Sequence, residues 1–175
     1  MSNWLPFPTW DGMHPLVVHF PVALLLVSPI FIVLGLLRPG RFRLFSVSAL
    51  ILMLLGTAGA WLAVETGEAG ASLVDRTPQL TAAIQEHQAM AENTRLIFTL
   101  LTVVYAGILA LPLAFKNIQP RLLVIAQVVF VLALAASCLV LARTAHLGGR
   151  LVHHFGVRAM INDPGAPPLE GGAGE

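Results

Sequence analysis

Four stretches of this chain carry no Asp, Glu, Lys or Arg: His14 to Leu37, Leu44 to Val64, Leu96 to Phe115 and Leu122 to Ala142. Each is about 20 residues or longer, and a helix rising about 1.5 Å per residue needs about 20 to cross a hydrocarbon layer of about 30 Å. We read four transmembrane spans, numbered 1 to 4 in chain order, forming an all-α integral membrane four-helix bundle. Composition agrees, since only 11% of the 175 residues are charged against about 25% in an ordinary soluble domain. The flank of span 1 holds Asp11 and no Lys or Arg, and its apolar core exceeds the roughly 7–15 residues of a signal peptide. It is expected to stay as an anchor.

The few charges are unevenly placed. Between spans 1 and 2 lie Arg38, Arg41 and Arg43, and between spans 3 and 4 lie Lys116 and Arg121, with no carboxylate in either loop. Positive loops stay in the cytoplasm, so both termini are expected outside. All nine carboxylates and all six histidines then fall near or beyond the outer ends of the spans. With ten basic and nine acidic residues, no global field exists to attract nucleic acid. Chemistry, if any, belongs to the outer face.

Residues 1–13 are rich in Trp and Pro and read as an interfacial segment, while residues 159–175 have the composition of a disordered tail. The folded domain is placed at 14–158. Thr77-Pro78 reads as a helix start, with Thr as cap and Pro at the first helical position. From there Leu80, Ile84, His87, Ala91, Thr94, Phe98, Leu101 and Tyr105 form one stripe at spacings of three and four. The third helix is therefore expected to begin beyond the outer membrane face and run unbroken for about 38 residues, or roughly 57 Å.

In span 1, Pro21 and Pro29 each remove one backbone bond, freeing the carbonyls of Val17 and Leu25. Neighbouring groups can satisfy such carbonyls; alternatively a kink at Pro21 aims His19 into the bundle. His14 and His19 stand about 140° apart on an ideal helix, so they cannot share one ion unless the first turn is distorted. Span 2 carries the small residues Gly56, Gly59, Ala60, Ala63 and Gly67, which suit close helix packing or a flat cofactor. Glu65 at its end reads as a ligand, a partner for a histidine, or a solvated terminus. After span 4, Gly148-Gly149 reads as a left-handed C-cap, His146 as a favoured last-turn histidine, and the adjacent His153 and His154 as interfacial. Cys138 has no disulfide partner, being the one cysteine.

The pattern His14-Pro15-x-x-x-His19-Phe20-Pro21, His87 with Asn93 following, and the closing Gly148-Gly149-Arg-Leu-Val…Gly156-Val resemble the bacterial membrane family called domain of unknown function 2231. The resemblance covers roughly residues 13–158, matches His14, His19 and His87 to the family's histidines, and implies a multi-pass protein of the bacterial inner membrane. Some members are fused to Rieske-type or cytochrome c-type domains, which implies electron transfer at the outer face with a periplasmic or membrane redox partner.

Three functions suit such a histidine set. One is electron transfer by b-type haem held between two neutral imidazoles, His19 and His87, with His14 or His146 as substitutes. The depths of His19 and His87 then match only if a helix is strongly tilted or a span boundary lies elsewhere. A second is a Zn or Cu site from His14, His19, His87 and Glu65, with Met13 or Met90 available to Cu(I). The third is a scaffold or assembly subunit without a cofactor. Quinone binding or transport ranks below these, and no span centre carries the ionisable group that a relay normally needs. No hydrolase triad is visible, so an accessory or electron-transfer protein is expected rather than a stand-alone enzyme.

Overall fold

The computed structural model describes residues 10–74, 77–115 and 117–157. Four helical segments are long and apolar enough to cross a membrane: His14–Leu37, Pro39–Ala71, Pro78–Ala114 and Pro120–His153. The first comprises α1 (His14–Val17) and α2 (His19–Leu37); a 3-10 turn at Pro39–Arg41 leads into α3 (Phe42–Ala71), followed by α4 (Pro78–Ala114) and α5 (Pro120–His153). Among the described residues there is no strand. Most of the expected segment 1–13 and all of the tail expected at 159–175 lie outside the described residues.

Neighbours in sequence are neighbours in space. Helix α2 packs on α3, α3 on α4, α4 on α5, and α5 returns to α2, while across the diagonals the backbones stay apart among the described residues. Short connections make consecutive helices antiparallel. The ends of α3 and α5 therefore meet the starts of α1 and α4. One end of the bundle thus collects the histidines.

The core follows the sequence stripe. Leu80, Ile84, Thr94, Phe98 and Tyr105 of α4 are buried, whereas Gln85, Glu86 and Glu92 face away. Phe98 and Tyr105 meet Leu25, Met53 and Leu134 from the other three long helices. Large apolar side chains such as Leu113, Leu139 and Leu37 point outward and are exposed. A surface of that kind is stable against lipid and unstable against water. Between helices, where lipid offers no hydrophobic gain, hydroxyls add hydrogen bonds: Thr57 to Thr102 at 2.8 Å and Thr94 to Thr144 at 2.7 Å.

Both prolines of span 1 leave structural traces, but the break near Pro21 does not aim His19 into the bundle, since His19 is exposed. The helix is interrupted at Val18, between α1 and α2, next to the Val17 carbonyl that Pro21 cannot serve. Further in, Pro29 lies inside α2, and the freed Leu25 carbonyl accepts from the Ser28 hydroxyl at 2.9 Å and the Cys138 thiol at 3.9 Å. The start of α4 is as read: Thr77 is the N-cap, and its hydroxyl accepts from the Leu80 N–H at 3.2 Å.

Two helix ends differ from expectation. Helix α3 runs past Val64 to Ala71, with the Thr66 hydroxyl donating to the Leu62 carbonyl at 2.8 Å. Glu65 is therefore not its terminus. Helix α5 passes through Gly148 and Gly149 to His153, and the only positive-φ glycine among the described residues is Gly156. The glycine pair is no cap, and Gly148 instead packs against the His87 ring.

Candidate functional site

At the histidine end, a half-open cavity of ≈ 160 Å³ lies between the helices, lined by His14, Ala63, Gly67, His87, Ala91 and Gly148 among others. Its walls are chiefly apolar. Helix α1 supplies His14, the last turns of α3 supply Gly67, the first turns of α4 supply His87, and α5 supplies Gly148.

His14 is oriented by a backbone carbonyl. Its Nδ1 lies 2.8 Å from the Ala63 oxygen. A carbonyl only accepts, so Nδ1 carries the proton and Nε2 is left with its lone pair. Thr66 Oγ1 stands 3.4 Å from the same nitrogen. This bond to a carbonyl is the arrangement that outer-shell groups impose on histidines serving as ligands.

His87 faces the same space and is close enough to His14 for the two rings to interact electrostatically. The Thr144 carbonyl lies toward the ring, but His87 Nδ1 is buried and closes no hydrogen bond. A buried ring nitrogen without a partner is costly.

Each ring rests on a glycine. A Cβ at Gly67 would come within 2.9 Å of His14 Cε1, and one at Gly148 within 3.1 Å of His87 Cε1. Higher on α3 the small-residue stripe serves packing, with Gly56 against Leu25 and Gly59 against Pro21. The stripe therefore has two uses: it seats α2 around Pro21 and Leu25 and an imidazole at its end.

The other residues expected in a site are elsewhere. His19 is exposed and does not line the cavity, so the fold brings His14, and not His19, to His87. The physical reason is the angle between them: with about 140° separating the two on a helix, the turn that points His14 inward points His19 outward. His146, His153 and His154 are exposed as well. Glu65 is exposed and paired with Arg95 at 3.5 Å, whose guanidinium also covers the Trp61 ring at 4.2 Å. Among the described residues no three His, Cys, Asp or Glu side chains come together as a metal-holding group. The set His14, His19, His87 and Glu65 is thus not assembled. Sequence reading missed the Ala63 carbonyl, which carries no side-chain signal, and Gly148, whose signal resembled a helix cap.

Fold and site together define a four-helix membrane protein with an imidazole pair in a lateral cavity at one end of the bundle. The model of the family described as predicted membrane protein (DUF2231) matches residues 11–160. The chain belongs to that family. Comparison with curated proteins and with solved structures finds no match.

Proposed function

We propose that this protein is a membrane-embedded electron-transfer protein in which His14 and His87 would hold a b-type haem. The observation that carries the reading is the His14 Nδ1 bond to the Ala63 carbonyl, which leaves a lone pair on Nε2 of a ring that lines the same cavity as His87. Two imidazoles without a third ligand suit a group that brings its own equatorial donors. They do not complete the four-ligand shell of zinc.

Haem supplies a one-electron couple when bound. The chain's part is to fix the rings: the Ala63 carbonyl sets the tautomer of His14, Gly67 and Gly148 let both rings approach the backbone, and the apolar walls keep water away. The basic loops favour placing this end at the outer face of a bacterial inner membrane. There it would exchange electrons with a periplasmic or membrane redox partner.

Cavity size favours a second reading of the same redox class. At ≈ 160 Å³ the space is below the roughly 300–1,000 Å³ of most ligand pockets. A single quinone ring, hydrogen-bonded by the two imidazoles, suits the enclosed part better than a whole macrocycle, which would also occupy the open side. The test is the cofactor content of the detergent-purified protein, by pyridine haemochrome assay and by chromatography of an organic extract. Stoichiometric haem supports the first reading and stoichiometric quinone in a colourless sample the second. A protein containing neither overturns both and leaves the scaffold role.

A further inference from the structure

At the end of the bundle opposite the histidines, three polar side chains from three helices are buried together. Ser46 of α3, Tyr105 of α4 and Gln127 of α5 are 1%, 0% and 1% exposed. The Ser46 and Gln127 side chains face the Tyr105 hydroxyl. Yet Ser46 Oγ, Tyr105 Oη and Gln127 Oε1 all lack a hydrogen-bond partner. On the fourth side is the bare backbone of Gly35, where a Cβ would stand 3.6 Å from Ser46 Oγ.

Three orphaned polar atoms in one place have a common cause. A buried polar group without a partner is costly, and lipid cannot supply one. Direct bonds among the three do not close, and one small molecule with both donors and acceptors would satisfy all of them. A charged occupant is unsuited, because no ionised side chain is available to balance it: on this layer the three helices present a hydroxyl, a phenol and an amide.

We infer that Ser46, Tyr105 and Gln127 bind an internal water molecule. It accepts from the Tyr105 O–H and donates to Gln127 Oε1 and Ser46 Oγ, which meets the roughly three bonds typical of buried water. All three orphans are then satisfied. The water ties α3, α4 and α5 at one level and fixes their rotation where apolar packing alone discriminates weakly. It is separate from the histidine cavity, since Phe98, Leu25, Met53 and Leu134 form the apolar core of the bundle and Tyr105 follows Phe98 by two helical turns along α4.

The chain contains one tyrosine, so labelling with ¹³C-tyrosine reports Tyr105 alone. Water-edited solid-state NMR of the labelled full-length protein in lipid bilayers measures how fast magnetisation passes from water to its ring carbons. Transfer several-fold faster than to the core aliphatic carbons of a second sample labelled with ¹³C-leucine is expected, and transfer as slow as theirs overturns the proposal. The doubly substituted Ser46→Ala/Gln127→Leu protein, checked for helical content, should lose the fast transfer. If it keeps the wild-type rate, these two residues do not hold the water and the assignment fails. Should that protein not fold, Ser46→Ala alone gives the same comparison: slowed transfer supports the site and an unchanged rate contradicts it.

Discussion

His14 and His87 owe their positions to what stands behind them. A methyl group at Gly148 would press on His87 at 3.1 Å, whereas one at Gly149 would meet nothing within 4 Å. Adjacent residues in one helix should therefore respond differently. Gly149→Ala is expected to stabilise by about 0.5–1 kcal/mol through backbone entropy, and Gly148→Ala to lose part or all of that gain because it must displace the His87 ring. Thermal unfolding in detergent distinguishes them; equal shifts would remove the case for Gly148 as a ring seat. A similar contrast holds at Leu25, whose carbonyl accepts from Ser28 and Cys138. Ser28→Ala removes the nearer donor and should cost about 1 kcal/mol. The loss should be larger once Cys138→Ala has removed the other donor, and simple additivity would show that the two donors do not substitute for each other.

Among the elements, α4 is the one most completely written in the sequence. Thr77 and Pro78 open it, and the stripe from Leu80 to Tyr105 selects its buried face. Thr77→Ala should cost about 1 kcal/mol by removing the cap, with faster hydrogen exchange confined to the first turn; protection unchanged there would contradict the capping role. Helix α1 is where sequence reasoning stops. Proline positions locate the interruption near Val18, but which of His14 and His19 faces inward depends on how the short helix is rotated against α3, and that is decided by Gly67 on another helix. The end of α5 misled for a related reason. Local glycine chemistry favours termination at Gly148-Gly149, and packing against His87 overrides it. Periodicity within a helix is local information; a seat for a side chain from a second helix is not.

On the scale of the whole molecule, a ring of four antiparallel helices leaves two ends with different chemistry. One has imidazoles beside an apolar cavity, and the other has a neutral polar cluster beneath the basic loops. The helix pairs are linked by threonines, and the 2.7 Å Thr94–Thr144 bond between α4 and α5 should show a coupling near the ~0.6 kcal/mol average of such bonds in membranes. A double-mutant cycle with Thr94→Val and Thr144→Val measures it, and zero coupling would mean that packing alone holds the pair. Topology follows from the same separation. In a Cys138→Ser background, Gly40→Cys should react with a membrane-impermeant thiol reagent only from the cytoplasmic side and Leu73→Cys only from the other. The reverse pattern would place the histidines inside.

The central claim, a redox site built on His14 and His87, is tested most directly by the reduced-minus-oxidised optical difference spectrum. It should be recorded for the native protein and for His14→Ala, His87→Ala, His19→Ala and His146→Ala at matched, folded concentrations. The account predicts a redox-dependent band in the native protein that is lost in the first two variants and kept in the last two. A native protein with no redox-dependent band, or a band that depends on His19 and not on His14, would contradict it.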